Sequence, residues 1–83
     1  MDSTPFLAKI DDTPITVNIS KDTISAKTQE GKSVFNIAIC DITCINKSAN
    51  IVIINWNAGN VLSSISVTSR HAREIITKIK ENI

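Results

Sequence analysis

Tyrosine is absent from this 83-residue chain, and glycine, proline and cysteine occur only twice each. The three aromatic residues, Phe6, Phe35 and Trp56, are too few to build the stacking platforms of a single-strand nucleic-acid binder. An excess of one charge is also missing, with nine Lys/Arg against eight Asp/Glu. That balance argues against a dedicated nucleic-acid protein, which carries a basic face. Cys40 and Cys44 are too few for the disulfide framework of a small secreted domain. The only histidine, His71, lies 27 residues beyond Cys44, so a metal cluster is not expected, nor any other cofactor. Both cysteines read as reduced thiols of a cytoplasmic protein. No apolar run approaches the roughly 18 residues of a membrane span. The start, Met1-Asp2-Ser3, is too polar and acidic for a secretory leader.

Catalysis is not expected either. A Ser–His–Asp set could be written from His71, Asp41 and one of nine serines, but no glycine-rich loop offers an oxyanion site. His71 falls in the first turn of an expected helix, on its polar side. Trp56, at the end of the most apolar segment, reads as core packing.

What the chain has in abundance is isoleucine, sixteen of them, with nine Ser, eight Thr and eight Asn. β-Branched residues lower helix propensity and suit a pleated, half-buried surface. The length allows a single small domain, here residues 1–83. Phe6–Ile10 is a short apolar stretch, and Asp11-Asp12-Thr13-Pro14 has turn chemistry. Residues 15–20 alternate strictly between apolar and polar, as does Thr23–Thr28, with Lys21-Asp22 as the break. Gln29-Glu30-Gly31-Lys32 is a turn, followed by Ser33–Ile39 with Phe35, Ile37 and Ile39 on one face.

At Ile39 the period changes. Ile39, Ile42 and Ile45 are three apart, a spacing that a regular strand cannot keep on one face. A bend at Cys40-Asp41 and a new strand over Thr43–Lys47 resolve this. Ser48-Ala49-Asn50 is a loop, Ile51–Trp56 a strand, Asn57-Ala58-Gly59-Asn60 a hairpin turn and Val61–Val67 the last strand. From Ser69 the pattern is helical, with Ala72, Ile75, Ile76, Ile79 and Ile83 in one stripe and Ser69 or Thr68 as N-cap. A helix so short and β-branched is marginal alone, so it must dock on the sheet. The expectation is mainly β: about seven antiparallel strands in a curled sheet or open barrel, capped by one C-terminal α-helix, the pleckstrin-homology (PH) superfold.

In this element order, Val34–Ser48 and the segment from Ile65-Ser66-Val67-Thr68-Ser69 to Ala72-Arg73-Glu74-Ile75 resemble the third, PH/PTB-like lobe of FERM domains, most nearly the talin-type lobe. The resemblance spans nearly the whole chain and rests on apolar spacing and turn placement. It implies a non-catalytic interaction module of an adaptor or cytoskeletal protein. A short peptide or cytoplasmic tail of another protein would add as a strand between the fifth strand and the helix. The implied edge is Thr43, Cys44, Ile45, Asn46, Lys47 and Ser48; the implied helix wall is Arg73, Ile76, Thr77 and Lys80.

Two departures narrow the ligand. Only Arg70 and Arg73 could converge on a phosphate, which favours an unphosphorylated Asn-Pro-x-Tyr-like or other apolar tail. The first hairpin carries Asp11 and Asp12 where inositide-binding relatives place bases, which argues against specific phosphoinositide binding. The competing reading is architectural: a lobe that packs against other domains of a larger parent protein, or self-associates, without binding peptide.

Overall fold

The computed structural model describes residues 4–83; Met1-Asp2-Ser3, on which the expectation of no leader rests, lie outside the described residues. Seven strands and one helix follow one another: β1 (Thr4–Ile10), β2 (Thr13–Ile19), β3 (Thr23–Thr28), β4 (Ser33–Ala38), β5 (Ile42–Ser48), β6 (Ile51–Ala58), β7 (Val61–Thr68) and α1 (Ala72–Glu81). All pairings are antiparallel, in a single sheet of order β4-β3-β2-β1-β7-β6-β5. The sheet does not close into a barrel, because β4 and β5 lie at opposite ends of it. The expected fold class is therefore the observed one: seven antiparallel strands and a C-terminal helix in a PH-like arrangement.

The hairpins set the registers. Asp11 and Asp12 both adopt positive φ, 48° and 68°, between the paired Ile10 and Thr13. That is the backbone of a type I′ turn, which Asp tolerates better than most residues. Thr13 and Pro14, expected in the turn, already belong to β2. Pro14 is accommodated because β3 pairs with β2 only from Ile15 onward, so its missing N–H breaks no β2–β3 bond. Gly59, at φ 68°, opens the two-residue turn between Ala58 and Val61, where a Cβ would be strained.

The three-residue isoleucine spacing has a two-part answer. Ile39–Asp41 form a 3-10 turn, so Ile39 starts the bend rather than ending β4. The β5–β6 register then slips between Ile42 and Cys44, leaving Thr43 as the extra residue of a bulge. A bulge shifts the side-chain alternation by one, which lets Ile42 and Ile45 both pack on the core that Ile39 enters.

The core comprises Ile15, Val17, Ile19, Ile24, Ala26, Phe35, Ile37, Ile39, Val52, Ile54 and Val67 of the sheet and bend, with Ala72, Ile75 and Ile79 of α1 and Ala8 of β1. Trp56 packs half-buried at its margin. The helix packs against β2, β5 and β6, so it bridges both halves of the sheet. Its stripe is shorter than expected: Ile83 lies beyond the helix and is 74% exposed. The N-cap position is taken by His71, which makes no side-chain cap bond, rather than by Ser69 or Thr68.

Ser69 has another task. It is buried, its hydroxyl donates to the Leu7 carbonyl at 2.7 Å, and the same oxygen accepts the His71 N–H at 3.0 Å. One side chain thus ties β1 to the segment that launches the helix.

Two mutational outcomes follow. Ile75→Ala, at a position only 1% exposed, lowers unfolding free energy by about 2–5 kcal/mol, whereas Ile83→Ala stays within about 0.5 kcal/mol. Ser69→Ala costs about 1–3 kcal/mol, because the Leu7 carbonyl and the His71 amide lose their shared partner. Urea denaturation monitored by circular dichroism measures all three.

Candidate functional site

The end strand β5 pairs with β6 on one side only. Its outer row of backbone groups can be assigned from the ladder. The Ala49–Asn50 turn joins the paired Ser48 and Ile51, and a two-residue turn closes on a hydrogen-bonded pair. Alternation then directs Ser48, Asn46 and Cys44 toward β6, and turns the N–H and C=O of Ile45 and Lys47 away from it. The Thr43 hydroxyl donates to the Asn55 carbonyl at 3.2 Å, anchoring the bulge at the start of this edge.

The side chains divide in the same way. Ile45 is half-buried against the core, while Thr43, Cys44, Asn46, Lys47 and Ser48 are exposed. The helix packs against β5, with Ile76 half-buried against the core and Arg73, Thr77 and Lys80 exposed. The structure thus provides an end strand, a helix packed against it, and an apolar residue from each, Ile45 and Ile76, at the core margin. Lys47, Arg73 and Lys80 supply positive charge on these two elements. Lys78 pairs with Glu81 at 3.7 Å and Glu74 meets His71 Nδ1 at 2.9 Å; exposed pairs of this kind contribute little to stability.

Cys40 and Cys44 are both free and exposed. His71 is partly exposed, with its ring centroid 6.1 Å from that of Phe6. Glu74 and Phe6 are its side-chain neighbours at the helix start.

A concavity of about 560 Å³ lies away from β5, where β1, β2 and the β7–α1 junction meet. Leu7, Lys9, Pro14, Arg70 and His71 contribute to its walls. The sequence reading missed it, since residues 7–9 and 69–71 come together only through the single Lys9–Thr68 pairing and the Ser69 hydroxyl. A strand-addition site needs an unpaired edge instead of a cavity, so this concavity is not part of the β5 candidate.

No protein-family model and no curated protein sequence matches the chain. Among solved structures, it is similar to the MyTH4-FERM MF2 domain of Dictyostelium discoideum myosin VII, in a mutant form. The TM-score is 0.80 at 12% sequence identity, and the match covers 96% of this chain and 17% of the myosin chain. At that identity the likeness is one of fold. The fold is therefore like that of a lobe of such a FERM domain, and the chain spans about one-sixth of the length of that neighbour.

Proposed function

We propose that this domain is a non-catalytic, cytoplasmic interaction module of adaptor type. It binds an extended peptide or cytoplasmic tail by strand addition along β5. The peptide lies antiparallel to Thr43, Cys44, Ile45, Asn46, Lys47 and Ser48, and its other side meets Arg73, Ile76, Thr77 and Lys80. The observation that carries this reading is the position of β5 at the end of the sheet with α1 packed against it. Main-chain bonds to Ile45 and Lys47 supply affinity, and the apolar margin at Ile45 and Ile76 selects an apolar peptide residue. Lys47, Arg73 and Lys80 favour a tail with neighbouring acidic groups, and the absence of further arginines favours an unphosphorylated one.

The test is a ¹⁵N-shift titration of the domain with synthetic tail peptides, Asn-Pro-x-Tyr-like and acidic-apolar, beside scrambled controls. Shift changes are expected along Thr43–Ser48 and at Arg73, Ile76, Thr77 and Lys80. Lys47→Pro removes an outward N–H while sparing the β5–β6 ladder, and weakens binding at least about tenfold, near 1.4 kcal/mol. Unchanged shifts with every peptide would leave an architectural lobe as the better description, and binding indifferent to Lys47→Pro would overturn strand addition at β5.

A further inference from the structure

A second open edge exists, in the middle of the sheet order. The Ser69 N–H donates to the Asn50 carbonyl at 2.8 Å, continuing the β6–β7 ladder and fixing its phase. Odd-numbered residues of β7 therefore bond to β6, and Leu62, Ser64, Ser66 and Thr68 turn their amides and carbonyls outward. Of these, Thr68 is paired with Lys9 of β1. Beyond that single position β1 departs into the Asp11–Asp12 turn. Among the described residues, no backbone partner meets the outward groups of Leu62, Ser64 or Ser66.

This edge lacks the usual protection. Exposed edges are commonly guarded by lysine, proline or inward-pointing charge. Here the 22 residues 48–69, the whole β6–β7 hairpin included, hold no charged side chain and no proline. Val61 and Leu62 are 64% and 68% exposed on adjacent positions of the strand, so both of its faces carry apolar surface.

We propose that β7 pairs edge to edge with β7 of a second copy of this chain, forming a closed twofold dimer. Of the registers open to the strand, one pairs its β-branched residues with one another without reaching the Gly59–Asn60 turn or the end that β1 occupies. Hydrogen bonding through the even-numbered residues requires that paired residue numbers sum to an even value. This also keeps the core face of one copy beside the core face of the other. A sum of 128 would engage Val67, which is 2% exposed and adjoins the Thr68–Lys9 pairing. A sum of 124 sets Leu62 opposite its own copy but runs into the turn, with Ile65 against Gly59. A sum of 126 sets Val61 opposite Ile65 of the second copy and Leu62 opposite Ser64, with Ser63 opposite Ser63 on the axis. Apolar meets apolar twice, by symmetry, and neither β6–β7 hairpin brings a charged side chain to the contact. The ladder ends at Ile65, before β1 occupies the edge. A second copy suits this uncharged edge better than an ionic partner, which would find no group to pair with. The proposal is independent of peptide binding at β5.

Analytical ultracentrifugation of the chain should show a reversible monomer–dimer equilibrium. Leu62→Lys, at an exposed position, should leave the far-ultraviolet spectrum unchanged and raise the dimer dissociation constant at least about tenfold, the direction lysine gives other edges. In a Cys40→Ser, Cys44→Ser background, Ser63→Cys should form an intermolecular disulfide under mild oxidation. Residues facing each other in a non-hydrogen-bonded pair are about 4.5 Å apart at Cα, within disulfide reach. Ser66→Cys, off the axis, should not cross-link. A monomer at all concentrations overturns the proposal, as do equal cross-linking at both positions, indifference to Leu62→Lys, or open-ended assembly. Lys47→Pro should leave the dimer intact, so loss of peptide binding and loss of pairing are read separately.

Discussion

The docking of α1 on the core face of the sheet is the contact on which the architecture depends. Ten residues, four of them β-branched, do not hold a helix in water; the helix exists because Ala72, Ile75 and Ile79 are buried against strands. The dependence runs both ways. The sheet's two halves meet at a single β1–β7 position, and α1 packs on β2 from one half and on β5 and β6 from the other. Seven strands with so narrow a seam need an apolar body between the halves, and the helix is that body. Ser69 reinforces the seam, since its hydroxyl bonds to Leu7 while its backbone N–H continues the β6–β7 ladder.

This arrangement creates edges. A sheet that does not close leaves β5 at one end, and a seam one residue long leaves β7 open along most of its outer side. The two edges differ in chemistry. Next to β5 stands a helix, and Lys47, Arg73 and Lys80 give the neighbourhood positive charge, as suits a foreign tail. The β7 hairpin carries no charge, and about Ser63 its Val61 and Ile65 fall symmetrically. One fold thus leaves two unlike rows of unpaired main-chain groups, each on its own strand.

Much of the fold was legible in the chain. Strict alternation over residues 15–20 and at Phe35, Ile37 and Ile39 revealed buried faces, because a strand places alternate residues on one side. The stripe of Ala72, Ile75, Ile76 and Ile79 revealed the helix for the corresponding 3.6-residue reason. The irregular Ile39, Ile42, Ile45 spacing announced a break, though not its form as a 3-10 turn plus a bulge at Thr43. Ends were read less well: Ile83 extends the periodicity but lies past the last helical residue, and Ser69 looks like a cap but works as a bridge.

For the candidate site, the strand and the helix that compose it were legible as elements from their periods, while their juxtaposition was implied only by the family resemblance. Which strand lies at an end depends on which strands pair across the chain, and periodicity records only the face a residue turns to the core. Composition and spacing by themselves determined a mainly β domain with one terminal amphipathic helix, because burial of apolar side chains imposes periods of two and 3.6. Tertiary structure alone decided that β1 touches β7 at one residue, and so which backbone groups were left unpaired. Hydrogen-bond pairing between distant strands is a property of the folded sheet, and no local pattern encodes it.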